Sequence, residues 1–90
     1  VTAVIEQDKI IGIITDGDIR RMLSKTTKID AFVASDIMGN KAKTIQRDAM
    51  AVEALDILEN NSISQLLVVD DNNNYAGVVH LHDLIKEGIF

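Results

Sequence analysis

Several residue types are scarce or absent, and each absence excludes a class of protein. The 90 residues contain no cysteine, so a disulfide framework and a thiolate metal site are both excluded. No apolar run reaches the roughly 18 residues needed to span a bilayer, and the chain does not open like a signal peptide. Nine basic residues face fourteen acidic ones, and the net charge of -5 repels nucleic-acid phosphates. We therefore expect a cytoplasmic protein that binds neither nucleic acid nor membrane.

Aromatic residues are also scarce, and this limits how the core can be built. Only three aromatics accompany a hydrophobic content of 47%, so the core must consist of aliphatic side chains and methionine between secondary-structure layers. This composition favours an α/β (α+β) fold. A chain of this length hides only about 60% of its unfolded surface, so its stability in isolation should be marginal and partner contacts would help.

One pattern occurs at both ends of the chain: strand, polar turn, strand containing a glycine, then a short amphipathic helix. In the first copy these segments are residues 3–5, 6–9, 10–14 and 15–23. In the second copy they are residues 66–69, 70–74, 75–79 and 80–85. The chain is thus interpreted as two copies of one unit.

The second copy has two further elements upstream of its hairpin. A short strand is predicted at residues 42–45, followed by a helix over 49–60 that begins at an Asp48 cap. Ala51, Ala54, Leu55 and Leu58 fall on one face of that helix. Unit two is therefore β-α-β-β-α, whereas unit one starts at its hairpin and is predicted to be truncated at its N-terminus. The predicted boundaries are a partial repeat at 1–24, a linker at 25–41 and a full repeat at 42–90.

The linker is predicted to pack rather than to be disordered. Apolar residues between Ser24 and Asn40 have the spacing of a short helix, with Gly39 just past its end.

Each repeat ends in a recognisable motif at the strand-to-helix turn. Gly12-Ile-Ile-Thr15-x-x-Asp18 and Gly77-Val-Val-His80-x-x-Asp83 resemble the motif that closes each repeat of a tandem CBS-domain pair. The longer strings TDGDIRR at 15–21 and HLHDLIKEGI at 80–89 are similar to the C-terminal CBS region of bacterial arabinose-5-phosphate isomerases. The resemblance implies a CBS pair whose two turns face each other across a ligand cleft.

The first turn has the chemistry of a nucleotide site. A helix start offers unpaired N–H groups and partial positive charge to a phosphate, and Thr15 can add a hydroxyl donor. The resemblance assigns Asp18 to ribose hydroxyls, and Arg20 or Arg21 is close enough in sequence to reach a phosphate. The predicted ligand-binding residues at this turn are Thr15, Asp16, Asp18, Arg20 and Arg21.

An alternative applies to the same residues, because Thr15-x-x-Asp18 is also the spacing of a capping box that only stabilises a helix start. The second turn departs from the pattern, since His80 replaces the hydroxyl residue ahead of Asp83, and a neutral imidazole is a poorer phosphate partner. The resemblance further implies that a base or sugar pocket is lined by Lys43, Thr44, Ile45, Ser64, Gln65 and Leu66.

Two metal-like patterns are interpreted as structural, and no cofactor or metal is expected. His80 and His82 lack a third ligand, so a helix-start pair is favoured over zinc. Asp70-x-Asn72-x-Asn74 is like a calcium loop, but Tyr75 stands where glycine is required, so it is predicted to be a hairpin turn.

Three functions follow as hypotheses. The first is a regulatory module that binds a nucleotide or sugar-nucleotide effector, such as CMP-Kdo or an adenine nucleotide, and signals to an N-terminal sugar-isomerase domain. The second is a structural module that forms a homodimer within a homo-tetramer and binds no ligand. The third, catalysis by this fragment itself, is disfavoured because no nucleophile, base and orienting group can be identified together.

Overall fold

The computed structural model describes residues 1–25 and 29–86, which form two compact units, 1–42 and 43–90. Residues 26–28 of the predicted linker, residues 87–89 of the second motif string and Phe90 lie outside the described residues. The strands are β1 (Thr2–Glu6), β2 (Lys9–Ile14), β3 (Thr44–Gln46), β4 (Gln65–Val69) and β5 (Tyr75–His80). The helices are α1 (Asp16–Lys25), α2 (Ala34–Ile37), α3 (Ala51–Asn60) and α4 (Leu81–Lys86), with a 3-10 turn at Ile29–Ala31.

The first unit is built on the antiparallel β1–β2 hairpin, as predicted. Glu6 pairs with Lys9, and the two residues between them, Gln7 and Asp8, have φ values of 51° and 68°. Positive φ at both central positions is what a type I′ turn requires, and its twist matches that of the flanking strands. The hairpin therefore closes tightly and delivers β2 directly to the start of α1.

The predicted linker helix is wrong as a single element. Val33 is extended, with φ −106° and ψ 166°, and it separates the 3-10 turn from α2. Its N–H donates to the Asp36 carboxylate at 2.9 Å, so the capping interaction starts a new four-residue helix. Met38 is extended again, and Gly39 does not cap the helix but exchanges two backbone hydrogen bonds with Ile13, at 2.8 and 2.9 Å. The segment packs against the hairpin as predicted, and it does so through the backbone hydrogen bonds between Gly39 and Ile13 of β2.

Gly12 lies so close to Met38 and Gly39 that no side chain fits at its position. Gly12 is buried in β2, and a Cβ added there would lie 2.9 Å from the Gly39 carbonyl oxygen and closer still to the Met38 side chain. The glycine of the first motif therefore lets the segment around Met38 and Gly39 lie against the hairpin. Gly77, at the same place in the second copy, would meet nothing within 4 Å.

The second unit is the predicted β-α-β-β-α arrangement. Its sheet has the order β3-β4-β5, with β3 parallel and β5 antiparallel to the central strand β4. Helix α3 makes the crossover between the parallel strands, and its predicted apolar face is confirmed, since Ala54 and Leu58 are buried. Ala54, Leu58, Leu66 and Leu84 form one core cluster, in which each fully buried leucine contributes about 1.5–3 kcal/mol.

The predicted start of α3 is wrong. The helix begins at Ala51, and its N-cap is Met50, which makes no side-chain capping bond. Ala49 N–H donates to the Gln46 carbonyl at 3.0 Å, so residues 46–49 form a turn after β3. Asp48 and Ala49 lie within this turn and therefore cannot form the start of the helix. Sequence periodicity identified the helix, but because of the turn the helix begins at Ala51 rather than at Ala49.

The predicted hairpin turn between β4 and β5 is confirmed. The Asp70 carboxylate accepts hydrogen bonds from the N–H groups of Asn72 and Asn74, both at 2.9 Å, and Asn73 has a φ of 63°. This is an Asx-stabilised turn. Among the described residues, no helix is long and apolar enough to cross a membrane.

Candidate functional site

The first predicted site is the turn that joins β2 to α1. Thr15 follows the last residue of β2, and α1 starts at Asp16, so Thr15 occupies the cap position. Its carbonyl already accepts from Ile19 N–H at 3.2 Å. Its hydroxyl accepts from the N–H of Asp18 at 3.3 Å and donates to that residue's carboxylate at 3.1 Å. In return, the Thr15 N–H donates to the same carboxylate oxygen, Oδ2, at 2.8 Å.

This reciprocal pair is a capping box, so the structural role foreseen for these residues is present. The capping box satisfies the N–H groups of Thr15 and Asp18, and the Thr15 hydroxyl already donates its proton to the Asp18 carboxylate. A phosphate at this turn would consequently have to bind the remaining N–H groups, or displace the hydroxyl proton from Asp18.

The Asp18 carboxylate carries the strongest electrostatic interactions of the site. Oδ2 accepts from Thr15, and Oδ1 accepts from Arg21 Nη2 at 2.5 Å in an ion pair one helical turn apart. The hydrogen bond from the Thr15 backbone, and then those from Arg21 and the Thr15 hydroxyl, hold the pKa of Asp18 below its usual value despite partial desolvation. The group is therefore a charged acceptor at neutral pH, as a diol-binding carboxylate must be.

The Arg21 guanidinium lies over the first turn of α1. A Cβ added to Gly17 would be 3.3 Å from Arg21 Nη1 and 3.6 Å from Thr15 Oγ1, so the absent side chain leaves room for this cation. Asp16 and Arg20 are exposed and make no side-chain hydrogen bond or ion pair within the described part of the chain. The structure thus brings Thr15, Asp18 and Arg21 together and leaves the other two predicted residues in solvent.

A cavity of about 200 Å³ lies beside this cluster within the first unit. It is lined by Asp18, Arg21, Met22, Lys25, Phe32, Asp36 and Ile37. Ligand pockets usually measure about 300–1,000 Å³, so this cavity alone could hold one fragment of a nucleotide rather than the whole molecule.

Sequence reasoning identified Asp18 and Arg21 as site residues but missed Lys25, Phe32 and Asp36 of this cavity. Arg21 and Lys25 are four apart on α1, a spacing that places both cations on one helix face, and this signal was available. Asp36 and Phe32 could not have been assigned, because the break at Val33 decides where their side chains lie.

The second predicted site is built differently. His80 ends β5 and is exposed, and Asp83 is the third residue of α4, also exposed. Within the described residues neither side chain makes a hydrogen bond, so no capping box forms here. Instead, the helix start is anchored by Leu81 N–H, which donates to the Ser64 carbonyl at 2.8 Å. A histidine lacks the hydroxyl that makes the reciprocal pair in the first copy.

The predicted pocket-lining residues fall on two neighbouring strands of the second unit. Lys43 precedes β3 and Thr44 is its first residue, and both are exposed, whereas Ile45 is half-buried beside β4. Ser64 is exposed, and Gln65 is half-buried and pairs with His80 across β4 and β5.

Leu66 is 1% exposed and belongs to the core cluster. Its side chain packs the unit, so only its backbone is left to contribute to a pocket.

Among the described residues, no group of three or more histidine, cysteine or acidic side chains could hold a metal ion.

Comparison with known proteins identifies related sequences. The family model for the CBS domain matches residues 34–89. The chain is 40% identical over 85 residues to the arabinose 5-phosphate isomerase KdsD of Francisella tularensis, and 37% identical over 84 residues to KdsD of Pseudomonas aeruginosa. These alignments cover 94% and 93% of the chain but 26% of each relative, so the chain spans about a quarter of the length of these curated relatives.

Solved structures share the architecture. The CBS domain pair of protein MJ0100, in complex with 5′-methylthioadenosine and S-adenosyl-L-methionine, matches with a TM-score of 0.77 and 28% identity, covering 94% of this chain and 68% of that one. A putative signal-transduction protein with CBS domains from Burkholderia ambifaria matches with a TM-score of 0.77 and 25% identity, covering 97% of this chain and 64% of that one.

Proposed function

The chain belongs to the CBS domain family, and on that premise we propose that it is a regulatory module that binds a nucleotide or sugar-nucleotide effector. The observation that carries the proposal is the turn where Thr15, the charged Asp18 and Arg21 meet at the start of α1. A relative by structure, 28% identical, was solved with two ligands that contain adenosine, which supports a ribose-bearing ligand here.

Each residue of the turn has a distinct proposed role. Asp18 accepts hydrogen bonds from a ribose diol, because it is a carboxylate that stays charged at neutral pH. Arg21, and Arg20 beside it, supply positive charge for a phosphate, while Thr15 and Asp16 present the helix start. The adjoining cavity, at about 200 Å³, is large enough for one part of the ligand.

The remaining predicted residues belong to the second unit, and we propose that they line a base or sugar pocket. Lys43, Thr44 and Ser64 are exposed at the ends of strands, where a ligand could reach them. His80 and Asp83 form a second turn that lacks the capping box, so this turn is proposed as the weaker anion site.

The longer protein is proposed to be a cytoplasmic arabinose 5-phosphate isomerase, since the chain is 40% and 37% identical to a quarter of two KdsD proteins. In that setting the module would respond to CMP-Kdo or an adenine nucleotide and pass its state to an N-terminal sugar-isomerase domain, without being catalytic itself. Such coupling requires that the effector bind two states of the protein with different affinity. A homodimer of modules within a homo-tetramer is the proposed assembly.

A purely structural module is the second candidate, and one observation favours it. The Thr15 hydroxyl and the Asp18 carboxylate are already bonded to each other, so the motif stabilises the helix start without any ligand. Under this hypothesis the module joins subunits and its turns are caps only.

Isothermal titration calorimetry with CMP-Kdo, AMP and ATP separates the two candidates. The chain, and a longer protein that contains it, should bind at least one of the three ligands. Asp18→Ala should weaken that binding about ten-fold or more, because a hydrogen bond to a charged group contributes roughly 1.5–3 kcal/mol. Asp56→Ala, an identical substitution at an exposed position of α3, should leave binding unchanged. No heat from any ligand would support the structural role, whereas equal binding by the wild type and Asp18→Ala would refute the proposed role of Asp18.

A further inference from the structure

The two repeats differ at the outer edge of their hairpins. In the first unit Gly39 forms an antiparallel bridge to Ile13 of β2, in which each residue donates its N–H to the carbonyl of the other, at 2.8 and 2.9 Å. Met38, the residue before Gly39, lies directly against Gly12, where no side chain fits. One extended segment therefore occupies both the edge of β2 and the space beside the motif glycine.

The second unit offers the same edge and the same glycine, but no described residue occupies them. β5 is an outer strand of its sheet, and β4 is its only partner in the part of the chain that the structure describes. A Cβ added to Gly77 would meet nothing within 4 Å, and Gly77 does not have the left-handed backbone conformation that favours glycine. Neither its contacts nor its conformation in this structure therefore requires a glycine at this position.

The backbone groups of Val78 face the open edge of β5. Val78 lies opposite Leu67 in the antiparallel β4–β5 ladder. Leu67 donates its N–H to the Lys43 carbonyl on the other side of β4, at 3.4 Å, so Leu67 and Val78 are a pair without hydrogen bonds between them. In such a pair the N–H and carbonyl point away from the partner strand. Val78 therefore presents one donor and one acceptor at the edge, as Ile13 presents them to Gly39.

We propose that the edge of β5 at Gly77 and Val78 binds an extended segment of the proposed longer protein, which bridges Val78 as Gly39 bridges Ile13. Strand addition of this kind takes its affinity from main-chain hydrogen bonds and its specificity from the space beside the strand. The space at Gly77 has no side chain of its own, so it suits a long unbranched apolar residue such as methionine. The docked segment should therefore read methionine followed by a small residue, as at positions 38 and 39.

The order of the elements identifies the segment. Residues 38 and 39 bridge the first unit and lie upstream of β3, the first strand of the second repeat. Because the repeats are copies, the counterpart that bridges the second unit lies upstream of the first strand of the first repeat. That stretch precedes residue 1 in the longer protein. The chain spans only 26% of each of two KdsD relatives, so proteins of this kind have ample chain to provide it.

Amide hydrogen exchange tests this docking when it is measured by residue in the 90-residue chain and in the longer protein, both without ligand. In the chain alone the Val78 amide should exchange quickly, whereas the Ile13 amide, which donates at 2.9 Å, should be protected. In the longer protein, exchange of the Val78 amide should slow by about ten-fold or more, the effect of one additional backbone hydrogen bond shielded from water.

Gly77→Ala distinguishes docking from a general change in the fold. In the chain alone the added methyl group meets nothing, so stability should not fall. In the longer protein it should displace the docked side chain and return Val78 to fast exchange. Gly12→Ala should speed exchange at Ile13 in both proteins, because it displaces the segment that is already bound there. Ala76→Ser, at an exposed position of β5, should change neither amide.

Equal exchange of Val78 in the two proteins would overturn the proposal, and so would protection of Val78 in the chain alone. Protection that grows with the concentration of the chain would identify a second copy as the occupant and would reject the upstream segment. Protection that persists in Gly77→Ala of the longer protein would contradict docking beside the glycine. No effector takes part in these measurements, so their failure leaves the proposed ligand binding intact, and calorimetry detects the failure of that binding separately.

Discussion

Replacing Asp18 with alanine should destabilise the first unit, and the internal repeat provides the control. Asp18 is the third residue of α1, and Asp83 is the third residue of α4. Alanine improves helix propensity at both positions and removes a favourable charge from both helix starts. Only Asp18 accepts hydrogen bonds, three in number, within the described chain. The difference between the two variants therefore isolates those bonds.

The expected magnitude follows from the kind of bond that is lost. A capping interaction contributes about 0.5–2 kcal/mol, and an exposed ion pair adds about 0.2–1 kcal/mol. Asp18→Ala should therefore be about 1–2 kcal/mol less stable than Asp83→Ala. For a chain of 90 residues each kcal/mol lowers the melting temperature by about 4–8 °C, which circular dichroism resolves readily.

The destabilisation should also depend on pH in a defined direction. The pKa of Asp18 in the folded protein lies below its ordinary value of 3.8, because Thr15 and Arg21 donate to the carboxylate. The stabilisation is therefore fully present well above pH 3.8 and is lost as the pH falls through the folded pKa. Urea unfolding at pH 7 and pH 3 should show the gap between wild type and Asp18→Ala shrinking at the lower pH. Equal stability of Asp18→Ala and Asp83→Ala, or a gap that widens in acid, would refute this reasoning.

Two other pairs of variants test the packing. Gly12→Ala should destabilise the first unit by about 1–3 kcal/mol, because its Cβ would clash with Met38, whereas Gly77→Ala should be neutral or slightly stabilising, since nothing lies within 4 Å. Destabilisation by both in thermal melts would contradict the close approach. Leu58→Ala should cost about 2–5 kcal/mol in urea unfolding, because Leu58 is 1% exposed, while Leu23→Ala, at 51% exposed, should cost less than about 1 kcal/mol. Similar losses would show that the core is misplaced.

The regular elements could be predicted because local pattern and tertiary packing agree there. The helix of the second unit shows its apolar face in sequence, and both hairpins show a polar turn between apolar runs. The capping box was foreseen from the spacing of Thr15 and Asp18 alone, since both partners lie within one helical turn.

The wrong predictions arose where a backbone bond formed with a distant residue or with a preceding turn. Gly39 was expected just past the end of a helix and does follow the C-cap of α2, but its N–H and carbonyl both pair with Ile13, which sequence spacing cannot reveal. Asp48 has a capping side chain, but it lies inside the turn closed by Gln46 and Ala49. The side of the cavity formed by Phe32 and Asp36 depends on the break at Val33, so these two lining residues could not be predicted from the sequence.

Ligand occupancy of the Thr15–Asp18 turn is tested most directly by NMR titration of the isotope-labelled protein with AMP and with CMP-Kdo. The amides of Thr15, Gly17 and Asp18 should shift in a saturable manner with at least one of these ligands. The same amides in Asp18→Ala should barely respond. Unchanged spectra at the highest ligand concentration, or shifts confined to residues remote from this turn, would contradict a nucleotide-sensing role.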